Sequence, residues 1–143
     1  MRTIHCLLPV LFLCVQTRAQ SVLPALDSAY QGTLTFRMDR HGDLLVEQTD
    51  ALGRLSRTTL PVRWMRTGDL AVEVRTEGLQ LTCSTQAGRC LEREHFAQGA
   101  TVRSSRVLFP WTTGEVDQER TMALWVAMFD EMRNGADLVG LKP

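Results

Sequence analysis

The sequence predicts an α+β domain that is mainly antiparallel β. About seven short strands would form a β-sandwich or half-open barrel, capped by one C-terminal α-helix. Three observations predict it. Glycine punctuates the chain at 32, 42, 53, 68, 78, 88, 99 and 114, at intervals of 10, 11 or 15 residues, which is the strand-and-turn rhythm of small β folds. Between the glycines, apolar residues recur at every second position, so each segment has one face for a core and one for water. After Pro110 the apolar period lengthens to that of a helix.

The strands follow in order. Leu34, Phe36 and Met38 alternate with polar neighbours, and Leu44 and Val46 continue the pattern. Leu60, Val62 and Trp64 predict a third strand, although Pro61 cannot donate to a ladder and marks an edge, a bend or two short strands. Leu70, Val72 and Val74 give the fourth, and Leu79, Leu81 and Cys83 the fifth. The sixth, from Cys90 to Phe96, fits poorly. If Cys90 faces inward, so do Glu92 and Glu94, while Leu91 faces out; a bulge beside Cys90 or an open edge would repair it. The seventh runs from about Thr101 and ends in Val107, Leu108 and Phe109. Turns are expected at His41-Gly42-Asp43, Thr67-Gly68-Asp69 and Thr76-Glu77-Gly78.

Met122, Trp125, Val126, Phe129 and Met132 fall at helical spacing and predict a helix over about 114–134. Thr112 and Glu115 would form its capping box, with Gly135 just past its end. Residues 136–143 read as a tail, and residues 20–29 as a loose lead-in or one helical turn. The folded domain is thus expected over 30–135.

Residues 1–19 read as a secretory signal peptide. Arg2 supplies the positive start, Cys6 to Val15 the short apolar core, and Thr17-Arg18-Ala19 the small residues of a cleavage site between Ala19 and Gln20. Cys14 is not placed as a lipoprotein cysteine, because Leu13 is too large for the position before it. The expected location is therefore exported, periplasmic or secreted. The mature chain would keep 124 of the 143 residues and only two cysteines, Cys83 and Cys90. An even pair in an oxidising compartment predicts a disulfide. A hairpin in which Ser84 pairs with Arg89, with Gly88 left-handed in the loop, would set the two thiols opposite each other.

Composition narrows the function. Sixteen basic and sixteen acidic residues leave no net charge, which removes the electrostatic argument for a nucleic-acid partner. No apolar run is long enough for a membrane span. His41, within Asp39-Arg40-His41-Gly42-Asp43, reads as a solvated turn, and Glu92, Glu94 and His95 as an exposed or edge strand on which His95 points away from the two acids. No pattern for a metal, a cofactor or a nucleophile occurs. Arg54, Arg57, Arg63 and Arg66 gather around Trp64 and could hold an anion, but the balancing acids favour ordinary surface ion pairs. Met122, Trp125, Phe129 and Met132 could line an apolar pocket or an interface, although a lone helix must first bury its stripe on the sheet.

Seven short strands followed by one amphipathic helix, over residues 30–134, resemble the pleckstrin-homology (PH)-like superfold. The export signal, the hairpin flanked by Cys83 and Cys90, the strand ending in Val107-Leu108-Phe109 and the closing helix resemble small secreted PH-like proteins of unassigned function. The resemblance implies two nearly orthogonal sheets in a half-open barrel, plugged at one end by the helix. It brings no catalytic motif and no functional residue. The basic lipid-binding loop of intracellular members has no clear counterpart beyond Arg37 and Arg40. The expectation is a small exported, non-catalytic binding or accessory module, with its partner open between another exported protein and a small apolar ligand. The alternatives are a carrier holding a small apolar ligand in the barrel, and an enzyme whose site assembles only in space.

Overall fold

The computed structural model describes residues 18–111 and 118–139. Among them lie three α-helices, α1 (Arg18–Ala29), α2 (Val62–Arg66) and α3 (Gln118–Val139). The strands are β1 (Leu34–Met38), β2 (Leu44–Thr49), β3 (Leu55–Leu60), β4 (Leu70–Val74), β5 (Gly78–Cys83), β6 (Leu91–His95), β7 (Ala100–Ser104) and β8 (Arg106–Pro110). They form two antiparallel sheets, a five-stranded one in the order β1-β2-β3-β6-β7 and a three-stranded one in the order β4-β5-β8. The mainly antiparallel α+β class with a C-terminal helix is as the sequence predicts; the strand count is eight, not seven.

One segment accounts for the extra strand, and a second is displaced. The stretch 101–109, expected as one strand, breaks at Ser105 into β7 and β8, which belong to different sheets. The segment around Pro61 is not a strand. β3 ends at Leu60, and Val62–Arg66 turns as α2, because Pro61 stops the ladder and the Asp43 carboxylate accepts the Val62 backbone N–H at 2.9 Å. That turn buries Met65 and packs α2 on α3.

Period two places the core as expected along β1, β2 and β5, where Leu34, Phe36, Leu44, Val46, Leu79, Leu81 and Cys83 are buried. Met38 and Val74, at strand ends, are exposed instead. At Gly78 a Cβ would lie 2.2 Å from the Phe109 carbonyl oxygen, so only glycine lets β5 approach β8 there.

Residues 18–29 form a full helix rather than a loose lead-in. Val22, Leu26 and Tyr30 recur every fourth residue and are buried, which offsets the backbone hydrogen bond that Pro24 removes. Asp27 on α1 accepts the Phe36 N–H at 2.7 Å and so covers a donor on edge strand β1. Ala19 and Gln20, the expected cleavage pair, lie in the first turn of α1; the rest of the expected leader lies outside the described residues.

The last helix differs from expectation at its end and in its buried face. It runs through Gly135 to Val139, so Gly135 does not end it and part of the expected tail is helical. Thr112, Gly114 and Glu115 lie outside the described residues. The face turned to the core carries Thr121, Trp125, Met128, Phe129 and Met132, whereas Met122 and Val126 are exposed. The buried line therefore starts one residue earlier than the apolar pattern implies, and includes a threonine.

Trp125 holds the pieces together. Its ring lies 5.1 Å from Phe36 of the larger sheet, 5.4 Å from Phe109 of the smaller sheet and 5.7 Å from Phe129. Its indole N–H donates to the Tyr30 hydroxyl at 3.1 Å. Burial pushes the Tyr30 phenol up to about 12, against the smaller downward effect of that hydrogen bond.

Tyr30 is the only tyrosine in the chain, so tyrosinate absorbance reports it alone. The folded state holds its proton more tightly than the unfolded state does. That stability is complete below pH 10 and is lost as pH rises toward 12. Absorbance at the tyrosinate band should stay flat through pH 10 and rise only near 12, together with loss of tertiary structure. Trp125→Ala should destabilise the fold by about 3–5 kcal/mol. Met122→Ala should change stability by no more than about 0.5 kcal/mol; denaturant titration of both variants checks which helix face is inside.

Candidate functional site

The arginines divide by sheet face. On the outer face of the larger sheet, Glu47 takes Arg37 and Arg57, each at 2.7 Å, and Arg57 also reaches Glu94 at 3.5 Å. Arg103 pairs with Glu92 at 3.5 Å, and Arg54 with Asp50 at 2.7 Å. Arg63 stacks over Trp64 at 4.7 Å, and Arg66 is exposed. The cluster Arg54, Arg57, Arg63 and Arg66 therefore does not assemble into an anion site. Two of its members are already neutralised across strands or within a turn.

The same register removes the misfit in the sixth strand. β6 begins at Leu91, so Cys90 stands outside the alternation. Leu91 turns inward and is buried, whereas Glu92 and Glu94 face outward to their arginines. Arg93 and His95 share the inward face with Leu91.

One row of the register crosses the inner face of the larger sheet: Phe36 opposite Val46, Val46 opposite Thr58, Thr58 opposite Arg93, Arg93 opposite Val102. The next row pairs Gln48 with Ser56, Ser56 with His95, and His95 with Ala100. The β1–β2 side is apolar and lies under α1 and Trp125. The β3–β6–β7 side is polar and lines a cleft with two lobes. The lobe toward β8 has a volume of about 320 Å³ and is walled by Thr58, Leu91, Val102, Ser104, Val107 and Leu108. The lobe toward the β2–β3 turn has a volume of about 190 Å³ and is walled by Gln48, Asp50, Arg54 and Ser56. Arg93 and His95 line both lobes.

Arg93 is half-buried, and its cation has only neutral partners. Its Nη2 donates to Gln48 Oε1 at 2.8 Å and to Ser56 Oγ at 3.0 Å, and Nε donates to Ser56 Oγ at 3.3 Å. Among the described residues no carboxylate lies within ion-pair distance and Nη1 has no acceptor. Burial lowers its pKa, yet a guanidinium stays protonated in proteins. A half-buried cation whose partners are all neutral is placed to accept an anionic group. Asp50, at the far wall, does not supply that group. Its carboxylate accepts from the Leu52 and Arg54 backbone N–H groups at 2.9 Å and from Arg54 Nε at 2.7 Å, and the Arg54 contacts hold its pKa below the usual range.

The disulfide Cys83–Cys90 is present, with Cα atoms 6.0 Å apart. It is not the rung of a hairpin. β5 lies in the three-stranded sheet and β6 in the five-stranded one, so the bond ties the two sheets together. The intervening loop closes by the Gly88 N–H donating to the Ser84 carbonyl at 3.0 Å, with Gly88 left-handed at φ 64°, in place of a Ser84–Arg89 pair. Cys83 N–H donates to the Ser105 carbonyl at 2.7 Å, the point where β7 passes into β8. The disulfide thus pins the corner at the end of the larger lobe, beside Leu91 and Ser104.

Of the helix residues expected to meet a ligand or partner, Trp125, Phe129 and Met132 are core and Met122 is exposed, so the four do not share one surface. None of them lines the cleft. His41 sits in the β1–β2 turn, where Arg40 Nε donates to its Nε2 at 3.1 Å. No group of three metal-ligating side chains occurs among the described residues. Arg93 and its hydroxyl neighbours were missed in the sequence because β3 reads Leu55-Ser56-Arg57-Thr58-Thr59, which has no apolar alternation. Comparisons with family models, with curated proteins and with solved structures find no match for this chain.

Native protein should leave Cys83 and Cys90 unlabelled by a thiol reagent until a reductant is added. Reduction should then cost about 2–3 kcal/mol of stability, read as a lower denaturant midpoint.

Proposed function

We propose that this chain is an exported, non-catalytic binding module, and that its ligand presents an anionic group to Arg93 on the β3–β6–β7 half of the larger sheet. The observation that carries this reading is the half-buried guanidinium with neutral partners only. An arginine held by a serine and a glutamine is oriented in advance, so little conformational entropy is lost on binding. Export is supported by the leader-like residues 1–19, with release between Ala19 and Gln20, and by a disulfide that an oxidising compartment would maintain. The sequence's resemblance to small secreted PH-like proteins is compatible with this reading and adds no ligand. No helix among the described residues is long and apolar enough to cross a membrane.

Calorimetric titration of the purified exported protein with benzoate and with sulfate at low salt tests the site. Saturable one-to-one binding is expected with at least one of them. Arg93→Gln should weaken it by about tenfold or more, the loss of a charge-assisted hydrogen bond, while Arg66→Gln on α2 should leave it unchanged. Equal binding by Arg93→Gln, or no saturable binding to either anion, would overturn the proposal. The intact mass of the same material should correspond to a chain beginning at Gln20.

A further inference from the structure

The larger lobe is built from two chemistries, and both bear on the ligand. It is lined by Arg93, whose guanidinium is tied to Gln48 and Ser56 of the neighbouring lobe, by Thr58 and Ser104, and by the exposed Arg106. Its walls carry Leu91 and Val107, which are buried, and Val102 and Leu108, which are exposed. Val102 belongs to β7 of one sheet and Leu108 to β8 of the other, so the lobe is the gap where the two sheets part. Val102 and Leu108 are 50% and 37% exposed, the kind of apolar surface that gains free energy when a ligand covers it.

From this we infer that the ligand is a small amphipathic monoanion, a carboxylate whose headgroup meets Arg93 and whose apolar body lies along Leu91, Val102, Val107 and Leu108. The inference rests on the anion site proposed above and adds the class of molecule. The half-buried guanidinium of Arg93 offers a planar fork that matches a carboxylate, whereas Arg106 is exposed and keeps its water. A second negative charge would meet Asp50 in the smaller lobe, which already carries its own arginine. The volume of about 320 Å³ lies at the small end of ligand pockets, which span roughly 300–1,000 Å³. That favours a short chain or a single ring over a long-chain lipid.

Butanoate, octanoate and hexadecanoate, with octan-1-ol as the uncharged match, form the test on the disulfide-bonded protein. Affinity should rise from butanoate to octanoate by roughly fourfold for each methylene that enters the lobe, and should gain nothing further at hexadecanoate. Octan-1-ol should bind at least tenfold more weakly than octanoate. Val102→Ser and Leu108→Ser, both at exposed positions, should flatten the chain-length dependence and leave butanoate binding, which the headgroup dominates, in place. Vesicles of anionic phospholipid should not co-sediment the protein, since the headgroup site lies within the cleft. Equal affinity for butanoate and octanoate, unchanged chain-length dependence in both serine variants, or Arg93-dependent vesicle binding would overturn the amphiphile while the anion site stood. Failure of every anion, benzoate and sulfate included, would remove the site itself.

Discussion

The fold depends on where one indole is placed. Trp125 comes from the last helix, yet its ring touches Phe36 of the five-stranded sheet and Phe109 of the three-stranded sheet, and its N–H reaches Tyr30 just after the first helix. Neither sheet could bury its apolar face alone. The indole supplies a large apolar surface to both and a polar atom with a buried acceptor, so it fixes the separation of the sheets as well as the docking of two helices.

That docking is one-sided, and the cleft follows from it. The helices pack on each other and over β1, where Leu34, Phe36, Leu44 and Val46 make an apolar face. On the opposite side of the larger sheet, β3–β6–β7, the inner positions are Ser56, Thr58, Arg93 and His95. A polar row inside a sandwich is tolerable only where it stays hydrated or meets a ligand. The two sheets are held together at Trp125 and at the Cys83–Cys90 bond, and they part along β7 and β8. The disulfide lies beside the corner at Ser105, whose carbonyl accepts the Cys83 N–H, and the flanking Ser104 and Arg106 line the cleft.

Much of the scaffold could be read from the chain. Glycines 32, 42, 53, 68, 88 and 99 do occupy left-handed turns, because such turns admit few other residues. The two long glycine intervals, 53–68 and 99–114, concealed an extra element each: β3 before α2, and β7 before β8. In both, the boundary is made by something other than glycine, namely Pro61 and the corner at Ser105. Periodicity located the core where strands are amphipathic in the usual sense and failed at β3, whose inner face is built of serine and threonine. A strand that lines a wet cleft looks like a loop when only apolar alternation is counted.

The sequence by itself determined the class of fold, the pairing of the two cysteines and the identity of most core strands. Each of those follows from local periodicity, turn chemistry or the number of available thiols. The tertiary structure alone decided which sheet each strand joins, which face of the last helix is buried, and which arginine is half-buried among neutral partners. The reason is physical: Arg93 differs from its fourteen fellow arginines only in the neighbours that strand order and register bring to it. Those neighbours, Gln48 and Ser56, lie 45 and 37 residues away along the chain.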